Sequence, residues 1–178
     1  MTKEHWPSVT RVLPTPKFYC TPSQLKEAIK DGKERHAELE IFLKTGKTYG
    51  IPRIEKMKKF FDSHKELLGD LVINEVRLKS KKHRFTGKPD AVFTKAVLDL
   101  KRTVSEKKRI ALQLAGYHVL AVENKLIKKT KRHLVLYETK KEFRAVNVYE
   151  DQAESVFLDL VKKYYMEQKY IKFIGGIA

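Results

Sequence analysis

Residues Phe85–Lys101 read FTGKPDAVFTKAVLDLK, and this stretch decides the predicted fold. It has the character of two short strands joined by a turn, and its second half is apolar enough to be a central, buried strand. Side chains two residues apart on a strand point to the same face, about 7 Å from each other. We therefore expect Asp99 and Lys101 to share one face of this strand, while Leu98 and Leu100 point to the other.

A second carboxylate lies on the preceding strand, where Asp90 follows the bend Gly87–Pro89. If the two strands pair, Asp90 comes next to Asp99, and like charges that close need a cation between them or a shared proton. A cluster of carboxylate oxygens suits a hard divalent ion such as Mg²⁺ or Mn²⁺. The same repulsion predicts that removing one of the two carboxylates stabilises the metal-free protein.

Composition indicates a globular protein with an anionic partner. The 178 residues are 42% apolar and 34% charged, which is enough for one domain with a real core. The net charge of +16 favours nucleic acid first and an anionic membrane second, although a merely soluble basic surface is the alternative. Cys20 is the only cysteine, which excludes an internal disulfide, a four-cysteine zinc site and a cysteine-ligated iron–sulfur cluster. Without a membrane-spanning run or a signal-peptide core, we expect an intracellular, cytoplasmic protein with no membrane partner.

The order of predicted elements is α, α, β, β, β, α, β, β, α, after an irregular segment over residues 1–20. It indicates an α/β (α+β) fold with a central mixed β-sheet flanked by helices. One domain over 1–178 is expected, with a helical part over about 21–68 and a core over about 71–178. The predicted elements are helices over Thr21–Lys44 (continuous or divided at Gly32) and Ile51–Leu68, strands over Leu71–Leu78, Phe85–Phe93 and Ala96–Arg102, a helix over Glu106–Asn124, a hairpin of His133–Thr139 with Phe143–Tyr149, and a helix capped by Asp151 that runs to Tyr170.

Several polar residues have two interpretations each. Glu75 on the first strand is either exposed at an edge or directed into the same site as Asp90. His36 is either a surface histidine of an amphipathic helix or a metal ligand. Gln113 and Tyr117 interrupt an otherwise apolar helix on one face, either as core groups satisfied by the backbone or as contacts to a phosphate or sugar.

Two basic segments could contact phosphates. Lys79–Arg84 is predicted to be a hairpin turn, and Lys125–Arg132 a very basic loop. A solvated turn is the alternative interpretation of the first segment.

The pair PD followed by D-x-K on the next strand resembles the PD-(D/E)XK nuclease superfamily. Further motifs in the same order resemble its RecB-like branch, and above all its small phage-type exonucleases and mitochondrial genome maintenance exonucleases. One departure is Arg102, which stands where a small or hydroxyl residue often follows the lysine, with Thr103 one position later. The motifs that carry the resemblance are Pro7–Thr10 followed by Gly32, His36 and Glu40, then Gly87, Pro89 and Asp90, then Asp99–Lys101, then Gln113–Tyr117.

The resemblance implies a restriction-endonuclease-like core and an Mg²⁺- or Mn²⁺-dependent deoxyribonuclease, an exonuclease that prefers free single-stranded ends. One or two ions would be ligated by His36, Asp90, Asp99 and the Leu100 carbonyl. Glu75 would assist through a second ion or a bound water. A phage or viral source is consistent with this likeness.

By the same resemblance, Lys101 would orient or deprotonate the attacking water, and an ammonium crowded by cations can have the lowered pKa that suits a base. DNA contacts are expected from Ser8, Arg102, Thr103, Gln113 and Tyr117.

Two other functions stay open. One is a DNA-binding protein that has lost cleavage. The other is a structure-specific endonuclease similar to junction resolvases, which a large separation of His36 from Asp90 would favour. The oligomeric state is open as well.

Overall fold

A computed structural model describes residues 6–15 and 21–175. The described chain has thirteen helices and strands around a five-stranded sheet. The helices are α1 (Val9–Val12), α2 (Pro22–Thr45), α3 (Pro52–Ser63), α4 (Lys65–Leu68), α5 (Lys107–Glu123) and α6 (Ala153–Gly175). The strands are β1 (Leu71–Asn74), β2 (Leu78–Ser80), β3 (Phe85–Gly87), β4 (Ala91–Phe93), β5 (Ala96–Lys101), β6 (His133–Glu138) and β7 (Phe143–Asn147).

The sheet has the order β1-β4-β5-β6-β7 and is mixed, as predicted. Strands β5 and β6 run parallel, and every other neighbouring pair in this sheet is antiparallel. A parallel pair needs a crossover connection, and α5 supplies it between β5 and β6. Strands β2 and β3 form a separate two-stranded sheet. The expectation of a single domain over 1–178 stays a prediction.

Helices cover both faces of the sheet, so β5 is buried on both sides, which is the setting predicted from its sequence. Leu98 and Leu100 pack in a cluster with Leu39 and Phe42 of α2 and with side chains of α3. Val97 packs in a second cluster with side chains of α5 and α6. The predicted alternation along β5 is confirmed, and it places the Asp99 side chain on the α5 face of the sheet.

Two predicted strands are each broken in the middle. The expected strand over Leu71–Leu78 divides into β1 and β2 at Glu75, whose φ of +54° lies in the left-handed region. The expected strand over Phe85–Phe93 divides into β3 and β4 at Lys88–Asp90. The breaks face each other, because Glu75 N donates to the carbonyl oxygens of Pro89 and Asp90 at 3.2 Å each.

The N-terminal helices also differ from the prediction. Helix α2 begins with a capping box of Thr21 and Gln24 and continues through Gly32 without a division. The expected helix over Ile51–Leu68 is interrupted at His64, which separates α3 from α4.

One helix was not predicted, and the predicted start of another was wrong. The short helix α1 lies within the stretch expected to be irregular, and the Ser8 side chain caps it by accepting from Arg11 N at 3.3 Å. Helix α6 begins at Ala153, whereas Asp151 lies two residues before it and pairs with Lys131 at 3.4 Å. Within the described ranges, no helix has both the length and the apolar character needed to cross a bilayer.

Helices α5 and α6 approach closely at Gly116. A Cβ added there would lie 2.7–2.9 Å from ring atoms of Phe157, which is fully buried. Glycine at this position therefore lets the Phe157 ring pack directly on the α5 backbone.

We predict that Gly116→Ala lowers the free energy of unfolding by about 1–3 kcal/mol, because the new methyl overpacks a rigid aromatic contact. Urea denaturation measures it. The matched control is Gly32→Ala in α2, where a Cβ meets nothing within 4 Å and the higher helix propensity of alanine should stabilise by about 0.5–1 kcal/mol. Equal effects of the two substitutions would contradict the close approach.

Candidate active site

The strand register brings the two carboxylates together. Strands β4 and β5 are antiparallel with Ala91 opposite Leu98, so Asp90, one residue before Ala91, comes opposite Asp99. The residues are 6% and 1% exposed. The pairing expected from the sequence therefore places two acids side by side in a nearly water-free position.

Asp90 is compensated from two sides. Its Oδ1 lies 3.0 Å from His36 Nδ1, and its Oδ2 accepts from Leu100 N at 2.6 Å. Burial and the neighbouring charge of Asp99 nevertheless raise the pKa of Asp90 to about 6, against the opposing effects of His36 and the Leu100 amide.

Asp99 is held by α5 and by its own strand. Its Oδ1 accepts from Gln113 Nε2 at 3.1 Å, and its Oδ2 lies 2.5 Å from Lys101 Nζ. Apart from this ion pair, the buried Oδ2 has no hydrogen-bond partner among the described residues. One carboxylate oxygen of the site is therefore still able to accept a donor or a cation.

Gln113 and Tyr117 lie behind Asp99. Gln113 Nε2 also donates to the Tyr117 hydroxyl at 3.2 Å, and both residues are almost fully buried. Burial, together with the charge of Asp99, raises the pKa of Tyr117, so the phenol stays neutral. The structure shows these side chains orienting Asp99, and a DNA contact through them stays a prediction.

Glu75 faces the cluster. Its side chain is 11% exposed, with Oε1 3.8 Å from His36 Nδ1 and Oε2 in contact with Lys88 Nζ. Burial raises the pKa of Glu75, but the interactions with His36 and Lys88 outweigh it and leave the pKa lowered. Lys88 was missed as a site residue in the sequence analysis, where it appears only within the bend before Asp90.

His36 is the cation of the cluster. Burial lowers its pKa, but hydrogen bonds to Asp90 and Glu75, with the charges of Asp90 and Asp99, raise it to about 10. In the metal-free protein a protonated His36 therefore supplies positive charge beside Asp90 and Glu75, while Lys101 pairs with Asp99.

The cluster fits a divalent ion. His36, Glu75 and Asp90 each offer one ligand atom, and these atoms lie within 4.8 Å of one another. The two carboxylates offer the oxygen ligands that suit Mg²⁺ or Mn²⁺, whereas the imidazole nitrogen favours Mn²⁺ or another transition-metal ion over Mg²⁺. Asp99, an expected ligand, lies opposite Asp90 in the strand register but is not part of this set, and Leu100 adjoins the set through the bond from its amide to Asp90 Oδ2.

Lys101 differs from the expectation of a lowered pKa. Burial lowers it, but the charge and hydrogen bond of Asp99 outweigh burial, and the pKa is raised. In the absence of a metal ion Lys101 is an ammonium, so it starts as a charge and a hydrogen-bond donor and not as a base.

The remaining expected DNA contacts lie at different places. Arg102 lines a cleft of about 740 Å³ together with residues of α2 that include Asp31 and Arg35. Thr103 is exposed, with its hydroxyl 3.4 Å from that of Ser105. Ser8 caps α1 and pairs by a bridge with Thr86 of β3. Their roles toward DNA stay predictions.

A second cleft lies on the other flank of α2. It has a volume of about 470 Å³ and is lined by Gly32 and Lys33 and by the cluster residues His36, Glu75 and Asp90. Helix α2 therefore lies across the site with an opening on each side.

A second cluster of possible ligands consists of His118, His133 and Glu154. His118 Nε2 accepts from Thr130 N at 3.1 Å, so Nδ1 carries the proton and donates to Glu154 Oε1 at 2.5 Å. The ring of His133 is fully buried, its two nitrogens have no hydrogen-bond partner among the described residues, and burial lowers its pKa to about 4. The hydrogen bonding of His118 is that of a histidine–carboxylate pair, and the sequence analysis did not identify this cluster.

Comparison with known proteins gives little. No family model matches the chain, and no curated protein matches it. A solved structure described as "Crystal structure of SSO0001" is similar, with 19% identity over 75% of this chain and 70% of that chain and a TM-score of 0.41. A likeness of this size shows neither a family nor an activity.

The contacts of Asp99 argue against the expectation that removing one of the two carboxylates stabilises the metal-free protein. We predict that Asp99→Ala destabilises the metal-free protein by about 2 kcal/mol, because it leaves Lys101 without its partner in a largely buried position. Lys101 is 27% exposed, which makes the loss smaller than for a fully buried pair. Urea denaturation in chelator measures it.

The matched control is Asp159→Ala, which removes the exposed pair with Lys162 and should change stability by less than about 0.5 kcal/mol. A higher urea midpoint for Asp99→Ala than for the unmodified protein would show that repulsion between Asp90 and Asp99 dominates.

The raised pKa of His36 predicts that the affinity for a metal ion depends on pH. A ligand must lose its proton before it binds, and the pKa of His36 is about 10, so binding of Mn²⁺ should release about one proton. Affinity should then rise about tenfold per pH unit between roughly pH 7 and 8.5. Calorimetry in two buffers of different ionisation enthalpy counts the proton.

His36→Ala should bind Mn²⁺ more weakly and without this proton, whereas His83→Ala, outside the cluster, should behave as the unmodified protein. Binding that releases no proton at pH 7.5 would exclude His36 as a ligand.

Proposed function

We propose that this chain is an Mg²⁺- or Mn²⁺-dependent deoxyribonuclease, an exonuclease that hydrolyses DNA from free single-stranded ends. The observation that carries the proposal is the meeting of His36, Glu75 and Asp90 with Asp99 and Lys101 at one end of β5. The order α2, β1, β4, β5, α5, β6 is consistent with the restriction-endonuclease-like core implied by the resemblance.

The metal site would be formed by His36, Glu75, Asp90 and Asp99, with the Leu100 carbonyl as the remaining expected ligand. An ion there would polarise the phosphate and lower the pKa of a bound water. Gln113 keeps Asp99 in place, and the Leu100 amide does the same for Asp90. The donors are thus positioned before any ion arrives.

Lys101 would act first through its charge. The ammonium lies beside Asp99 and is largely buried, so its field is weakly screened and can offset the negative charge that develops on the phosphorane. Its protons can also orient the attacking water. Transfer of a proton from water to Lys101 would require an ion to displace its pairing with Asp99 first.

The preference for a free end is supported by the position of α2. The clefts on its two flanks reach Arg102 on one side and the His36 cluster on the other. If these clefts join beneath the N-terminal part of α2 when DNA binds, a strand that passes through them must enter by an end. We place this activity in the cytoplasm, in keeping with the single cysteine and the phage-type resemblance.

One distance separates this proposal from the resolvase alternative. His36 Nδ1 is 3.0 Å from Asp90 Oδ1, whereas a junction resolvase was expected to have no histidine at this place. Binding without cleavage is disfavoured because buried charges are costly to keep without a use.

The decisive experiment compares linear and circular single-stranded DNA of equal length. With Mg²⁺ or Mn²⁺ the linear strand should be degraded and the circle should resist, and excess chelator should stop the degradation of the linear strand. Cleavage of both forms at equal rates would move the assignment to an endonuclease, and undiminished cleavage in chelator would exclude the metal mechanism.

The control variant is Lys101→Met, which keeps much of the side-chain volume. It should lower the rate at saturating DNA by at least about 100-fold, with little change in affinity, because Lys101 is one of 38 basic residues. A variant that loses affinity and keeps its saturated rate would show that Lys101 binds DNA and takes no part in the chemistry.

A further inference from the structure

Two basic segments that are distant in sequence meet at the C-terminal end of α5. Asn124 Nδ2 donates to the Lys79 carbonyl oxygen at 3.1 Å, which ties the end of α5 to the β2–β3 hairpin. Lys82 and Lys129 line one cavity of about 180 Å³. We call residues 79–84 and 125–132 together the basic face.

The basic face carries a high density of uncompensated charge. The four lysines and arginines of 79–84 and the five of 125–132 are all exposed. In the described part of the chain, only Lys131 among them takes part in an ion pair, with Asp151 at 3.4 Å. The other charges are available to a polyanion.

This face is separate from the candidate active site. Gln113 of α5 contacts Asp99, and Asn124 lies eleven residues further along the chain. At about 1.5 Å per residue this separates the two by roughly 16 Å. Strand β5 shows the same separation. Near its start, Val97 N donates to the carbonyl oxygen of Arg132 in the basic face, whereas Lys101 of the active site lies at its other end.

The chemistry of the face favours a duplex. Neither segment contains a phenylalanine, tyrosine or tryptophan, and the tyrosines that contact them, Tyr149 at Lys131 and Tyr165 at Arg84, are half-buried. Proteins that bind single strands normally add exposed aromatic platforms on which bases stack. Lysines on loops contact phosphates at any sequence, which is how a duplex backbone is bound.

An anionic membrane is a poorer match. The apolar residues of the basic face, Leu126 and Ile127, pack against the core. Surface binding to a bilayer normally adds apolar side chains that insert among the lipids.

We propose that the basic face binds the phosphate backbone of double-stranded DNA, as a site distinct from the active site. This goes beyond the proposed nuclease reaction and does not depend on it. For a nuclease that takes a free strand, such a site would hold the adjoining duplex while the end enters beneath α2.

The test measures binding of a blunt DNA duplex of about 20 base pairs, which is long enough for several phosphate contacts. Chelator is present, so that cleavage has no part in the measured binding. The variant Lys81→Gln, Lys82→Gln, Lys129→Gln should bind about 10- to 100-fold more weakly at roughly 0.1 M salt. Its plot of log affinity against log salt should be flatter by about one unit per lysine that contacts a phosphate.

The matched control is Lys47→Gln, Lys59→Gln, Lys65→Gln. These exposed lysines belong to α3, α4 and the turn after α2, on the other side of the sheet, and the change lowers the net charge equally. It should alter duplex affinity less than about threefold. Single Lys82→Gln, with a loss of about threefold, serves if the triple variant does not fold.

Equal losses in the two triple variants would overturn the proposal, because they would show general attraction to net charge. A loss of single-strand affinity as large as that of duplex affinity would overturn the assignment to duplex. Vesicles of phosphatidylserine and phosphatidylcholine form the third arm. Vesicle binding that falls in the Lys81, Lys82, Lys129 variant while duplex binding persists would assign the face to a membrane.

Discussion

Asp90 and Asp99 are held side by side in a nearly dry position, and much of the structure compensates the electrostatic cost of that arrangement. Burial disfavours each charge, and proximity disfavours having both. The compensation comes from different elements: His36 of α2 pairs with Asp90, Lys101 of β5 pairs with Asp99, and Gln113 of α5 donates to Asp99. Helices on both faces of the sheet are therefore needed to make this pair of acids tolerable.

The position of α2 depends on a second set of charges. Glu138 at the end of β6 accepts from Arg35 at 2.8 Å and from Arg53 of α3 at 3.2 Å, and Lys56 Nζ lies 3.0 Å from it. Exposed pairs contribute little singly, but these share one carboxylate that is only 14% exposed. Because Arg35 directly precedes His36, this network fixes α2 at the point where His36 must reach Asp90.

The parts of the site that sequence could predict are those encoded locally. Alternation along β5 separates Asp99 from Leu98, and the two-residue turn between Phe93 and Ala96 sets the antiparallel register. The left-handed conformation of Glu75 could not be predicted, because a glutamate gives no signal for positive φ and the bend is held by carbonyls of residues 89 and 90. The contact between Lys88 and Glu75 depends on that same bend and was missed for the same reason.

The acids of the proposed site can be compensated in two ways, by a protonated His36 or by a divalent ion. Its pKa of about 10 is raised above the ordinary value of 6.5, so its ion pairs stabilise the metal-free fold fully below about pH 6.5 and are lost as pH rises through about 10. A divalent ion competes with the proton for the same nitrogen. At the proposed site, the charge of a bound ion would replace that of the imidazolium beside Asp90 and Glu75. The two acids are compensated in either state, so the fold that presents the ligands does not depend on the ion for its existence.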